Sequence, residues 1–289
     1  MLIVFTVQPI GTTGLSIPLL TVGTGTPRVS IVLGIHGNET TWHSIIQQLL
    51  KTIHLEQGTL QIILQANPVA GLEHRRCSSI DGKDLNRTFP GNPSGTITEQ
   101  TAHTILDILE KSDAAIDLHT FNGMQTPVMG ILIDGGTREN EELVRQFSPT
   151  IVWRLQPSRT DETPFQHSLG TILNKKLIPN IAIETNGSEH ATPDDIQHCV
   201  EGLQRILHSK GMIANTITNE PPRREQQPRH FHRTIITTPT KGIFRPLKQS
   251  LDEINTGDII GTLLHIPTLE ETTITTSLTA TLLQIEHRG

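Results

Sequence analysis

The sequence predicts an α/β domain, built on a largely parallel or mixed sheet flanked by helices, followed by a small all-β domain. Three observations carry this. Short branched, apolar runs alternate with helical patterns as far as about Gly211. Several of those runs are near-continuous in apolar residues, as in strands buried on both faces of a sheet. Beyond Gly211 the helical pattern stops, and only short β-type runs separated by Gly, Pro and Asp remain.

Taken in order, the strand candidates are Leu2–Val7, Ser30–Ile35, Leu60–Gln65, Ala114–Leu118, Val128–Ile133 and Asn180–Glu184. The helix candidates lie between them. Trp42–Ile53 puts Ile45, Ile46, Leu49, Leu50 and Ile53 on one side, and Thr98–Lys111 does the same with Ala102, Ile105, Leu106 and Leu109. In Asp194–His208, residues Ile196, Cys199, Val200, Leu203, Ile206 and Leu207 recur at helical spacing. Thr192-Pro193 supplies a cap and a first helical residue. Cys199 therefore reads as core. The polar, Pro-rich stretch around Asn219–Arg229 reads as a linker. Short runs at Thr234–Thr238, Gly242–Arg245, Ile259–Leu264, Thr273–Thr276 and Leu278–Ile285 then form the β-rich tail. The expected division is residues 1–215, a linker at 216–233, and a β domain at 234–289.

Composition narrows the function. A formal charge of −6 argues against bulk nucleic-acid binding, and the arginines at 223, 224, 229 and 233 read as linker charge. Two distant cysteines, Cys77 and Cys199, indicate no disulfide framework, which favours a cytoplasmic protein. No run approaches the roughly 18 apolar residues of a membrane helix, so no membrane partner is expected. The N-terminal apolar run lacks the basic start of a signal peptide and reads as a first strand. The 289 residues include no tyrosine, so any chemistry must proceed without one.

Four segments carry chemistry. Gly34-Ile35-His36-Gly37-Asn38-Glu39 follows an apolar strand and precedes a helix, where open α/β sheets build their sites. His36 and Glu39 can face one metal across the turn, and imidazole with carboxylate suits zinc. Ile116-Asp117-Leu118-His119 puts a second histidine at the end of a buried strand. Two histidines and a glutamate make a three-ligand site with a fourth position for water. Asp117 is open to two readings, a ligand-orienting carboxylate or a solvated strand end. Asp81–Gly91, with Arg75-Arg76 before it, suits either a grip on a planar carboxylate or a charged surface turn. Ile181-Ala182-Ile183-Glu184 ends a buried strand in a lone carboxylate, which suits a general base or a capping residue. His230 and His232 could form a surface metal or phosphate patch, against a solvated linker.

In this order the segments resemble the succinylglutamate desuccinylase/aspartoacylase family, itself similar to the zinc carboxypeptidases. The pieces that match are Gly34–Glu39, Asn67-Pro68, Arg76, Asp84–Gly91, Asp117–His119 and Glu184. They cover roughly residues 29–190, and the β-rich tail matches the family's C-terminal extension. The resemblance implies a zinc carboxypeptidase-like mixed sheet flanked by helices. It implies one Zn2+ per chain, held by His36, Glu39 and His119. Glu184 matches the general base and proton shuttle, and Arg76 the carbonyl-polarising arginine, with Arg75 as its rival. Asn86 and Arg87 match the residues that hold a substrate carboxylate. Relatives often place a tyrosine near the substrate, and this chain has none. Its Asp-Leu-His is followed instead by Thr120-Phe121-Asn122-Gly123.

The expected reaction is hydrolysis of an amide in a small molecule bearing a carboxylate. Three readings stay open at this point: an N-acyl amino acid deacylase, a zinc carboxypeptidase acting on peptides or amino-acid conjugates, and a non-catalytic metal-binding adaptor. The tail is expected to narrow the site entrance or to build a homo-oligomer interface.

Overall fold

The computed structural model describes residues 2–121, 126–158, 163–187, 189–214, 229–231, 234, 236–249 and 251–282. The described residues divide into two compact units. One lies between Leu2 and Phe231, and the other joins Thr126 to the residues from Thr234 onward.

In the first unit the order is β1 (Ile3–Pro9), β2 (Ser16–Thr24), β3 (Arg28–Val32), α1 (Thr41–Thr52), β4 (Gly58–Ile63), α2 (Pro68–Leu72), a 3₁₀ turn (Leu85–Arg87) and α3 (Ile97–Leu109). There follow β5 (Ala114–Phe121), β6 (Met129–Ile133), α4 (Arg138–Phe147), β7 (Ile151–Leu155), a second 3₁₀ turn (Thr163–His167), α5 (Leu169–Lys175), β8 (Asn180–Asn186), α6 (Pro193–Ser209) and β9 (Arg229–Phe231). The strands form one mixed sheet in the order β1-β2-β4-β3-β5-β8-β6-β7-β9. Its centre, β4-β3-β5-β8, is parallel, so the C-terminal ends of these strands open on one edge. The family-like expectation of a mixed sheet flanked by helices is met.

Side-chain alternation along the strands sorts the two faces. Ile31, Ile62, Ile116, Leu118 and Ile183 pack beneath α1, α4 and α6. Val32, Ile63 and Ala115 pack beneath α3 and α5. Asp117 and His119, two and four residues beyond Ala115, therefore share the α3/α5 face. Each fully buried Ile or Leu in these layers contributes roughly 1.5–3 kcal/mol. Helix starts are fixed locally. Thr192 accepts from the Asp195 amide at the head of α6, with Pro193 next, and such a cap is worth about 1 kcal/mol. Cys199 is core, and burial pushes its thiol up to about 12.

Strand β1 departs from the doubly buried expectation. It pairs only with β2, at the sheet edge, and all seven of its residues are exposed, Phe5 at 61%. The segment expected as a linker falls mostly outside the described residues. Within it, Arg229–Phe231 instead adds a parallel strand to β7, and His230 Nδ1 accepts from Arg154 Nε at 3.1 Å. His232 also lies outside the described residues.

The second unit is β-rich. Strands β10 (Ile243–Pro246), β12 (Ile259–Leu264) and β13 (Glu271–Thr275) form an antiparallel sheet, and β11 (Glu253–Ile254) pairs with β14 (Ala280–Thr281). Ile254, Ile260, Leu263 and Ile274 form its core. The described part of 234–238 carries no strand. No helix among the described residues is long and apolar enough to cross a membrane.

Candidate metal centre and active site

The site gathers at the C-terminal edge of the parallel strands. After β3 the chain turns through Gly34, whose φ of +72° favours glycine. At Gly37 a side chain has no room, since a Cβ there would lie 2.0 Å from the Ala70 carbonyl. The two glycines let the loop lie flat on α2 and aim His36 and Glu39 inward. Asn67 fixes α2 by accepting from the Ala70 amide at 3.2 Å.

His36, Glu39 and His119 are 3%, 4% and 2% exposed. One ligand atom from each lies within 4.8 Å of the others. Glu39 bridges the imidazoles, with Oε1 2.7 Å from His36 Nδ1 and Oε2 3.0 Å from His119 Nδ1. The far nitrogens are held by aspartates: His36 Nε2 by Asp84 Oδ1 at 3.2 Å, and His119 Nε2 by Asp117 Oδ2 at 2.9 Å. Asp117 thus holds the His119 ring and does not end the strand in solvent. The backbone of His119 is pinned as well, its carbonyl accepting from Trp42 Nε1 at 2.6 Å.

Charge pairing outweighs burial here. Burial alone would lower both imidazoles, but the Glu39 carboxylate and the Asp84 bond raise His36, and Asp117 and Glu39 hold His119 well above its ordinary value. Burial would raise Glu39, yet the two histidines hold it well below the usual carboxylate range. Asp84 is likewise pulled below that range by His36, Arg76 and Arg87, against its burial.

Glu184 arrives by strand register. It sits directly across from His119 in the parallel β5–β8 pair, so the two side chains share a face. Its Oε2 is buried without a hydrogen-bond partner among the described residues. Burial raises its carboxyl to about 8, with His119 opposing.

The loop 75–91 forms the other wall. Arg76 is fixed by Asp84, with Nη2 and Nε donating to Oδ2 at 2.9 and 3.2 Å, and its Nη1 lies 3.5 Å from His36 Nδ1. Adjacent Arg75 is exposed, as Arg76 is, but it is Arg76 that reaches Asp84 and His36. Asp84 also caps the 3₁₀ turn, accepting from the Asn86 amide at 2.9 Å. Asn86 Nδ2 lies 3.4 Å from His119 Nε2, and its Oδ1 accepts from the Leu169 amide at 2.9 Å. Arg87 Nη1 donates to the Asn86 carbonyl at 2.8 Å. The roles of Asp84 as a clamp and of Trp42 as a backbone anchor were not read from the sequence. Asp84 stood in the motif, but Trp42 gave no signal beyond helix periodicity.

The donor set fits a divalent metal. Two imidazoles turn one nitrogen each towards a shared carboxylate, and aspartates hold the other nitrogens, the pattern that orients metal-ligating histidines. A buried carboxylate oxygen on Glu184 is left to meet whatever binds there.

The family model described as "Succinylglutamate desuccinylase/Aspartoacylase catalytic domain" matches residues 25–209. A 97-residue stretch is 36% identical to the N-alpha-acetyl-L-2,4-diaminobutyric acid deacetylase of Halomonas elongata, spanning 32% of this chain and 28% of that relative. The fold superposes on a succinylglutamate desuccinylase/aspartoacylase structure from Rhodobacter sphaeroides with a TM-score of 0.74 and 21% identity, covering 95% of this chain and 86% of that one. It superposes on the product-bound ectoine utilization protein of Ruegeria pomeroyi with a TM-score of 0.76 and 19% identity, covering 90% of this chain and 80% of that one.

Proposed function

The chain belongs to the succinylglutamate desuccinylase/aspartoacylase family, and on that premise we propose that it is a zinc-dependent amidohydrolase that removes an acyl group from an N-acyl amino acid. The observation that carries this is Glu184, half-buried with one carboxylate oxygen buried and unpartnered among the described residues, set by register beside a His36–Glu39–His119 donor cluster. The deacetylase relative supports the acyl amino acid class.

His36, Glu39 and His119 would hold the zinc, which when bound supplies Lewis acidity that brings the pKa of water down towards about 7. Glu184 accepts the proton of the attacking water at Oε2 and later delivers it to the leaving amine nitrogen. A cation at the site would pull its carboxyl down from about 8, towards the range in which a base and an acid are both useful. Arg76, braced by Asp84, donates to the scissile carbonyl oxygen as negative charge grows there. Asn86 and Arg87 grip the substrate carboxylate and fix its register. No covalent acyl-enzyme is needed, so the lack of a nucleophile motif fits.

The test pairs zinc analysis with a substrate panel of N-α-acetyl-L-2,4-diaminobutyrate, N-acetyl-L-aspartate, N-succinyl-L-glutamate and short peptides. One zinc per chain and turnover of an N-acyl amino acid are expected. Glu184→Gln should keep the zinc and lose roughly 10²–10⁴-fold in kcat. Normal turnover by that variant, or turnover of peptides alone, would sink the assignment.

A further inference from the structure

We propose that Phe165, backed edge-on by Trp153, is the positioning residue that holds Arg87 ready for the substrate carboxylate. This rests on the proposed role of Arg87. The Arg87 guanidinium carbon lies 4.2 Å from the centroid of the Phe165 ring, within cation–π reach. Trp153 meets the same ring at 5.7 Å and 89°, an edge-to-face contact that fixes its plane. Trp153 is 7% exposed on β7, packed with Ile131 and Leu155, so the platform is anchored in the sheet.

The backbone makes the stack rigid from both sides. The Phe165 carbonyl accepts from Thr171 Oγ1 at 2.8 Å and from the Ser168 amide at 3.0 Å, tying the second 3₁₀ turn to α5. The loop bearing Arg87 is stitched to that same segment. The Leu169 amide donates to Asn86 Oδ1 at 2.9 Å, and the Phe89 amide donates to the His167 carbonyl at 3.1 Å. His167 Nδ1 also lies 3.1 Å from the Phe89 carbonyl. The guanidinium is therefore held over the ring by contacts on either flank. A flexible arginine loses several rotors on gripping a carboxylate, and prior stacking removes much of that loss. The ring offers a π face and no hydroxyl, so the arrangement orients the cation without competing for the carboxylate. It supplies order in a chain that has no tyrosine.

The experiment measures kcat and KM for the best-used N-acyl amino acid of the panel in Phe165→Leu, Phe165→Trp, Arg87→Met and the Phe165→Leu/Arg87→Met pair, each loaded with zinc. Phe165→Leu should raise KM roughly 3- to 30-fold with kcat within about twofold, the range of a partly desolvated cation–π contact. Phe165→Trp, which keeps a π face, should restore KM. In the Arg87→Met background, Phe165→Leu should add nothing further, because the two act as one unit. The expected shift in Phe165→Leu is also visible without substrate, as loss of the ring-current shift on the Arg87 δ-methylene protons. If Arg87→Met raises KM and Phe165→Leu does not, the platform is wrong while the carboxylate grip stands. Equal KM effects of Phe165→Leu with and without Arg87 also overturn it, since that marks simple packing. If Arg87→Met leaves KM unchanged, the carboxylate role itself fails and the proposal falls with it.

Discussion

The two walls of the site are built differently. One wall, His36, Glu39, His119 and Glu184, is carried on or just beyond parallel strands; its histidines and Glu39 are buried and Glu184 is half-buried. The other, Arg76, Asn86 and Arg87, rides on the loop 75–91, where the Arg76 side chain is 50% exposed. Strand register fixes His119 and Glu184, and the tight glycine loop after β3 fixes His36 and Glu39. The second depends on side-chain clamps such as Asp84 and Phe165. Under the proposed roles, chemistry that needs a charge-matched cluster sits on the sheet, and recognition that must admit a substrate sits on the loop.

The sharpest way to break this contrast is to remove a strand-borne residue of the proposed metal site. His119→Ala leaves two donors and strips Asn86, Asp117 and Glu39 of a shared partner. Zinc per chain should fall from one to near none, and hydrolysis to the uncatalysed background. Retained zinc in that variant would mean that the cluster is not the metal site. Next in size is a loop-borne residue. Arg76→Ala should keep the zinc and cost roughly 10²–10³-fold in kcat, the effect of one oxyanion donor. A change confined to KM would assign Arg76 to binding and blur the distinction between the two walls.

A smaller effect separates the walls by pH. His36 and His119 both hold protons more tightly than an ordinary imidazole, and a metal must displace those protons. Zinc affinity should therefore fall as pH falls, by up to about tenfold per pH unit for each imidazole that is still protonated. Chelator competition between about pH 6 and 8 measures it. A flat profile would show that the histidines are not ligands.

The strand-borne wall was largely readable from the sequence. His36, Glu39, His119 and Glu184 each stand at the end of a near-continuous apolar run, and period-two alternation puts Asp117 and His119 on one face. The helices with apolar periodicity, α1, α3 and α6, also lie close to where the pattern puts them. Elements that lack those signals went unassigned. Strand β2 contains Pro18 and Gly23, and α4 begins Arg-Glu-Asn-Glu-Glu and buries few apolar side chains. Strand β1 has the composition of a buried strand, yet it stands exposed because only β2 lies beside it. The loop-borne wall was readable as motif but not as mechanism. Phe165 stacks on a residue 78 positions away, and no local pattern encodes that meeting. The pairing of Arg76 with Asp84 likewise follows from how the loop folds back on itself.

The smallest expected effect concerns what pins that loop to the helical layer. Asp81 accepts from the Thr98 amide at 3.0 Å and from Thr98 Oγ1 at 2.7 Å, at the start of α3. Burial would raise its carboxyl, but the Thr98 bonds win and hold it below its ordinary value. A lowered carboxylate pKa stabilises the fold at pH values above the unfolded pKa, and that contribution disappears as pH falls through the folded pKa. Asp81→Ala should cost about 0.5–1.5 kcal/mol near neutral pH, towards the lower end because water screens the group. The gap between variant and unaltered chain in urea unfolding should be constant above about pH 4 and close below it. Metal content should not change, because Asp81 bonds Thr98 and the Lys83 amide and not His36, Glu39 or His119. A loss of zinc in Asp81→Ala would instead mean that the loop braces the strand-borne ligands through Asp84, and that the two walls fold as one cooperative unit.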